Sequence, residues 1–157
     1  RLGGKGMLGR GRLLSRDQML AHSMQSSDVP MLESIRRCLF PSQLDLVAEL
    51  YKMLIYSPGD HFDAPHVDTA RSRNHLGTLV VCLPTLAGHR GGVLRVQHDG
   101  KEETVDFGCI KTESQCSAPW AAFFASCTHR VEPLLANHRV VLVYNLLAPP
   151  SLPSPSA

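Results

Sequence analysis

Apolar positions follow a helical spacing early in the chain and the spacing of β-strands later. Between residues 30 and 39 they recur every three or four residues, which predicts an amphipathic helix beginning near Asp28 and Pro30. The residues of its apolar face are Met31, Leu32, Ile35 and Leu39. A second helical turn is predicted from Ser42, although the apolar spacing that follows it is ambiguous.

From residue 49 onwards, short apolar runs bounded by turn residues predict about eight strands. The run 77–83 is continuous and β-branched, which is typical of a strand buried on both faces. Asp99-Gly100 lies between two such runs and predicts a two-residue hairpin turn. The predicted strands are 49–56, 64–68, 77–83, 93–97, 103–107, 120–125, 130–134 and 138–147. Many short strands at regular spacing favour a β-sandwich or a closed barrel.

Composition at the two ends differs from that of the middle. Residues 1–27 are rich in Gly, Arg and Ser and are predicted to be a flexible basic segment. Residues 149–157 are nearly all Pro, Ser and Ala and are predicted to be a disordered tail. Residues 28–148 are therefore predicted to form one domain, which suits a chain of 157 residues with 43% hydrophobic residues.

Charge and hydropathy limit the partners of this domain. The formal net charge is only +2, and five basic residues without an acid fall in the first sixteen positions, so no extended basic patch for nucleic acid is indicated in the folded part. No apolar run approaches membrane-spanning length, and the opening lacks the apolar stretch of a signal peptide. The sequence does not define the compartment, although it favours the cytoplasm or the nucleus. Because residue 1 is Arg, we expect a piece of a longer chain.

The five cysteines contain no Cys-x-x-Cys pair and do not indicate a disulfide framework. Cys82 and Cys127 lie in apolar runs and are predicted to be free buried thiols. A bridge between Cys109 and Cys116 stays open for an oxidising compartment.

Three residues have the chemistry of a metal site. His66 and Asp68 are alternate residues of a predicted strand, so they lie on the same side of it. His129 adds a second imidazole and completes the two-histidine, one-carboxylate set that binds Fe(II) and leaves positions open for small ligands. The alternatives are a solvated turn after Pro65 and a surface histidine at the edge of a strand.

Arg139 opens the run 139–147, which is apolar enough to belong to the core and contains no acid. A buried guanidinium needs an anion or water, because an unpaired buried charge costs several kcal/mol, and a ligand carboxylate would supply the anion. The alternative is that Arg139 extends its guanidinium to solvent from the start of the strand.

Taken together, these motifs resemble the prolyl 4-hydroxylase-like branch of the 2-oxoglutarate/Fe(II) dioxygenases, from about residue 50 to residue 147. The matching segments are Tyr56-x-x-Gly59-x-x-Phe62-x-x-x-His66-x-Asp68, Gly77-Thr78-Leu79-Val80-Val81, Gly91-Gly92-x-Leu94, His129-x-Val131-x-Pro133 and Arg139. The resemblance implies a double-stranded β-helix, a jelly-roll-like barrel, preceded here by one or two helices. It also implies Fe(II), 2-oxoglutarate as co-substrate, and O₂.

Carried over to this sequence, the resemblance makes His66, Asp68 and His129 the iron ligands. Arg139 matches the basic residue that binds the distal carboxylate of 2-oxoglutarate, while Tyr56 and Thr78 match residues lining the co-substrate site. A core aromatic and a residue of good strand propensity are the alternatives for these last two.

Two positions depart from the family. Cys82 stands where several members have a tyrosine that touches the distal carboxylate, and Val141 where many have Ser or Thr. Both replacements leave Arg139 with fewer polar neighbours for binding the distal carboxylate, and they bear on the affinity for 2-oxoglutarate.

The sequence indicates less about the substrate than about the cofactors. The resemblance favours hydroxylation of a prolyl or other side chain in a peptide or protein. A nucleic-acid-demethylating dioxygenase is a second possibility, but the second arginine usual in that branch is replaced by Asn145. A catalytically silent metal-binding β-barrel that mediates interactions, and a cupin-type metal protein that uses no 2-oxoglutarate, remain alternatives.

Overall fold

The structure is a computed structural model that describes residues 7–12, 23–25, 29–67, 73–108 and 117–149. Within these ranges it contains one α-helix and twelve β-strands. They are β1 (Met7–Arg12), β2 (Ser23–Gln25), α1 (Pro30–Leu39), β3 (Val47–Tyr56), β4 (Phe62–Val67), β5 (His75–Leu83), β6 (Arg90–Gly91), β7 (Leu94–His98), β8 (Lys101–Val105), β9 (Ser117–Phe124), β10 (Thr128–Val131), β11 (Leu134–Ala136) and β12 (Arg139–Leu147). The mainly-β prediction is confirmed.

The predicted first helix is present as α1. It begins at Pro30, whose missing N–H is not needed in the first turn, and it buries Leu32, Ile35 and Leu39. The predicted second helical turn from Ser42 is wrong. Residues 41–46 form a turn and a loop that lead into β3, because the Arg36 guanidinium donates to the Gln43 carbonyl at 2.6 Å and holds that turn, and so short a segment does not form a helix alone.

The strands form two main antiparallel sheets. The large sheet has the order β1-β9-β5-β12-β3-β2, and the small sheet has the order β4-β10-β7-β8. A third, two-stranded sheet joins β11 to β6. Strands β1 and β2 lie inside the stretch 1–27, for which the sequence predicts flexibility, and they pair with β9 and β3. The domain boundary at residue 28 stays a prediction.

Two apolar cores lie on opposite faces of the large sheet. On one face α1 packs against Leu79 and Val81 of β5. On the other face Val80 and Cys82 pack with residues of the small sheet, which makes the molecule a β-sandwich with a helix on its outer side. The prediction that 77–83 is buried on both faces is therefore confirmed, and both thiols predicted to be buried, Cys82 and Cys127, are free and buried.

Strand β3 changes the face that its even-numbered residues occupy. Ala48 packs in the core under α1, whereas Leu54 packs in the core between the sheets. The register against β12 explains the change: Lys52 is opposite Val143, but Leu50 is opposite Tyr144, so that Tyr51 is an extra residue, a β-bulge. We call this feature the β3 bulge. It directs the second half of β3 toward the small sheet.

Turn chemistry accounts for one confirmed prediction and one correction. Asp99 and Gly100 both have positive φ and join His98 to Lys101 in the predicted hairpin. The predicted strand 130–134 is instead divided into β10 and β11, because Pro133 has no N–H to donate to a ladder. In the described part of the chain, no helix is long and apolar enough to cross a membrane.

Candidate functional site

A cavity of about 620 Å³ lies between the two sheets. Its wall on the large sheet is formed by alternate residues of β12, which a strand places on one face. These are Arg139, Val141, Val143 and Asn145. The second half of β3, which the β3 bulge turns to this side, contributes further lining residues, among them Lys52, Leu54 and Tyr56.

Arg139 is the charged residue that β12 contributes to this wall, and only 2% of its surface is exposed. Its Nη1 donates a hydrogen bond to the Gly92 carbonyl, while its Nε has no hydrogen-bond partner in the described part of the chain. The guanidinium carbon lies 4.5 Å from the ring centroid of Tyr56, its register partner on β3. Burial lowers the pKa of Arg139, and the neighbouring Tyr56 opposes that shift. Even so, a guanidinium stays protonated in proteins.

No carboxylate of the described residues forms an ion pair with Arg139. The Asp106 carboxylate attracts the guanidinium without forming an ion pair with it. A desolvated cation without a contacting counter-charge is unfavourable by several kcal/mol. The position therefore suits an anionic ligand in the cavity, and a carboxylate has the two oxygens that match the guanidinium.

His129 lines the same cavity from β10. Its ring centroid lies 5.0 Å from that of Phe123, and its Nδ1 is 3.5 Å from the Cys127 carbonyl oxygen. In the small sheet residue 129 is the register partner of residue 66 on β4. Directly opposite positions of an antiparallel pair lie on the same face, so the ladder brings the two predicted histidine positions together.

The third predicted iron ligand, Asp68, lies outside the described residues, as does the side chain of His66. Among the described residues, no group of three His, Cys, Asp or Glu side chains could hold a metal. The metal site therefore stays a prediction. The imidazole of His129 in the cavity, with residue 66 opposite it, fits that prediction.

The two predicted co-substrate residues also line the cavity. Tyr56 stacks on Arg139, as described above. Thr78 is only 3% exposed and is the register partner of Asn145 on β12. The structure thus brings Tyr56, Thr78, His129 and Arg139 to one cavity, and their roles toward a ligand stay predictions.

The two residues that depart from the family pattern, Cys82 and Val141, lie in apolar surroundings. Cys82 is 2% exposed and is the register partner of Val141, and both pack in the core between the sheets. Burial raises the pKa of the Cys82 thiol to about 11, against the opposing effect of Arg139. The thiol is therefore neutral at ordinary pH, and neither residue offers a charged contact beside Arg139.

Four lining residues do not stand out as site residues in the sequence. His61 and His75 have the sequence context of loop histidines, yet both line the cavity. Asn145 could have been found from its spacing, because it lies six residues after Arg139 and therefore on the same face of β12. Lys52 could not, because the β3 bulge that turns it to the cavity has no local sequence signal.

Comparison with solved structures shows an oxygenase-like fold. No protein-family model matches the sequence, and no curated protein matches it. Among solved structures, the chain is similar to a prolyl-4-hydroxylase from Pseudomonas putida, with 22% identity and a TM-score of 0.51, over 85% of this chain and 66% of that chain. It is also similar to a 2OG-Fe(II) oxygenase family oxidoreductase from Burkholderia pseudomallei, with 18% identity and a TM-score of 0.41, over 67% of this chain and 41% of that chain.

The likeness to the Pseudomonas hydroxylase confirms the resemblance inferred from the motifs at the level of the fold. The chain spans less than two thirds of the length of either structure.

Proposed function

We propose that this chain is an Fe(II)- and 2-oxoglutarate-dependent dioxygenase, built on a double-stranded β-helix, that hydroxylates a C–H bond of a peptide or protein side chain. One observation carries the proposal. Arg139 is buried without a carboxylate partner among the described residues, and it lines the same cavity as His129. The fold shared with a prolyl-4-hydroxylase supports it.

In this proposal His66, Asp68 and His129 hold the iron. Two imidazoles and a carboxylate are ligands that suit Fe(II) and leave positions open. Fe(II) held there would supply the chemistry that couples oxidation of a substrate C–H bond by O₂ to the decarboxylation of 2-oxoglutarate to succinate and CO₂.

The residues of the large sheet bind and orient the co-substrate. The Nε of Arg139 is a donor available for the distal carboxylate, while the bond from Nη1 to the Gly92 carbonyl fixes the guanidinium. The Tyr56 ring on the guanidinium limits its movement. Thr78 contributes a hydroxyl to the same cavity.

The middle of the cavity excludes water. Val141 and Val143 of β12 lie beside Val80 of β5 and Phe123 of β9 on the same face of the large sheet, and all four are buried. An apolar lining strengthens the electrostatic attraction between Arg139 and a carboxylate and limits side reactions with water.

The test compares two arginine variants in a 2-oxoglutarate turnover assay with added Fe(II) and a peptide pool. Arg139→Ala removes charge-assisted hydrogen bonds worth about 1.5–3 kcal/mol each, so we expect 2-oxoglutarate consumption to fall roughly 100-fold or more, while Fe(II) binding is kept. Arg90→Ala is the matched control, because Arg90 is exposed on β6. Equal consumption by both variants would contradict the proposal.

A catalytically silent binding domain is the second candidate, and the Cys82 and Val141 positions favour it. Both are apolar where a polar contact to the distal carboxylate would strengthen co-substrate binding. Protein that binds Fe(II) but consumes no 2-oxoglutarate, with or without peptides, would establish this second function in place of the first.

A further inference from the structure

The polarity of the cavity wall changes along β12. Its lining residues in order are Arg139, Val141, Val143 and Asn145. A strand rises about 3.3 Å per residue, so the two polar ends are roughly 20 Å apart along the backbone. The Arg139 end is cationic, the middle is apolar, and the Asn145 end carries a neutral carboxamide. The proposed co-substrate accounts for the first end only.

Asn145 is only half-buried, and in the part of the chain that the structure describes no hydrogen bond involves its side chain. Its register partners are Thr78 on β5 and Glu49 on β3. Since a polar group that a bound ligand encloses without a hydrogen bond weakens binding, a ligand that covers this end of the cavity must bond to the carboxamide.

We propose that Asn145 binds the peptide backbone of the substrate. This inference rests on the proposed function, and it assigns a peptide as the substrate class of the enzyme. A carboxamide carries both a donor and an acceptor, and a peptide group carries an N–H and a C=O. Asn145 therefore forms two complementary hydrogen bonds with the N–H and the C=O of one extended substrate residue, which point to the same side, whereas those of a single trans peptide group point in opposite directions. This contact places the next residue of the substrate over the apolar middle of the cavity.

The charges around Asn145 disfavour the nucleic-acid alternative. Glu49 lies opposite Asn145 and puts a carboxylate on the same face of the sheet. Lys52, opposite Val143, is exposed at the rim with its Nζ 5.0 Å from the Tyr51 ring centroid. The two charges offset each other, so this end lacks the positive excess with which proteins bind phosphodiesters.

The test follows the side-chain amide signals of ¹⁵N-labelled protein by NMR, with the Asn145 pair assigned from its loss in Asn145→Asp. The probes are an uncharged capped dipeptide, acetyl-Gly-Pro-methylamide, and dimethyl phosphate at equal millimolar concentrations. We expect the dipeptide to shift the Asn145 signals in a saturable way and dimethyl phosphate to leave them in place. Asn145→Ala weakens dipeptide binding about five- to tenfold, as expected for roughly 1 kcal/mol of hydrogen bonding.

Gln97→Ala is the matched control, since Gln97 is an exposed amide on β7 outside the cavity lining. We expect this variant to bind the dipeptide within twofold of the affinity of the unsubstituted protein. Unshifted Asn145 signals, equal binding by Asn145→Ala and Gln97→Ala, or a larger shift with dimethyl phosphate would overturn the inference. The proposed function is followed separately through the Arg139 Nε–H signal on addition of 2-oxoglutarate. If the Arg139 Nε–H signal does not shift when 2-oxoglutarate is added, the dioxygenase proposal is wrong, whatever the result at Asn145.

Discussion

Residue 92 shows how closely one backbone position is fitted to Arg139. Gly92 has a φ of +70°, and a Cβ placed on it would lie 3.0 Å from Arg139 Nη1 and 3.1 Å from Leu134 Cδ1. Its carbonyl accepts the hydrogen bond from the same guanidinium. Glycine is therefore required here both for the left-handed backbone and for the space that Arg139 occupies.

Gly92→Ala tests this fit. The left-handed conformation costs alanine about 1–2 kcal/mol, and overpacking against Arg139 adds about 1–3 kcal/mol, so we expect both a lower free energy of unfolding in urea and weaker 2-oxoglutarate binding. Gly100→Ala is the control, because Gly100 has a φ of +73° but a Cβ added there would meet no atom within 4 Å. It should lose only the backbone contribution and bind 2-oxoglutarate normally. Equal losses in the two variants would show that the contact with Arg139 carries no weight.

At the scale of single residues, the sequence indicated that Arg139 is buried, because a charged residue in an apolar run without an acid has few ways to be satisfied; its role as a site residue stays a prediction. It predicted the positions of Tyr56, Thr78 and His129 only through the family resemblance. The chemistry of Asp68 and the His66 side chain stays a prediction, since both lie outside what the structure describes.

Among the elements, β3 contributes to both cores because of the β3 bulge. Before it, Ala48 and Leu50 pack toward α1, and after it Leu54 and Tyr56 pack toward the small sheet. Side chains alternate with a period of two, so one residue more or less between these halves moves one of them to the wrong face.

Deletion of Tyr51 should therefore remove apolar burial on one side of the large sheet. Each displaced apolar side chain is worth about 1.5–3 kcal/mol, so we expect a loss of several kcal/mol in urea unfolding, or failure to fold. Deletion of Leu86, which is fully exposed in a turn, should cost much less. Tyr51→Ala keeps the residue count and should retain the fold; a Tyr51 deletion as stable as the Leu86 deletion would refute the bulge.

The elements with local causes were predictable, and those with distant causes were not. Proline at the start of α1 and Asp-Gly in the hairpin act within a few residues. The bulge arises from pairing between β3 and β12, about ninety residues apart in sequence, and periodicity cannot reveal it. The break at Pro133 could have been predicted, because proline has no N–H to donate within a strand.

Among the described residues of the molecule as a whole, Cys82, Cys127 and Tyr144 are buried in their neutral forms. Burial raises the pKa of Cys82 to about 11 and raises the pKa of Cys127 and Tyr144 as well. Cys82 and Cys127 lie in the core between the sheets and Tyr144 in the core under α1. Both cores therefore depend on protonated side chains.

This arrangement predicts a loss of stability at alkaline pH. Above about pH 9 an unfolded cysteine releases its proton while folded Cys82 keeps it up to about pH 11, so the unfolded state binds fewer protons and the free energy of unfolding falls as pH rises. The contribution of Cys82 is up to about 2–3 kcal/mol across that window. Urea unfolding at pH 7 to 10.5 should show a shallower decline for Cys82→Ala than for Cys38→Ala, since Cys38 is exposed. Identical pH slopes would rule out this role of Cys82.

Strand β12 is hydrogen-bonded along both edges, to β3 on one side and to β5 on the other. Arg139 and Asn145 stand near its two ends, so the spacing between them is set by backbone ladders rather than by mobile side chains. A molecule that engages both must therefore match a fixed length. Because this spacing is fixed, the cavity fits a ligand of matching length as well as of matching charge.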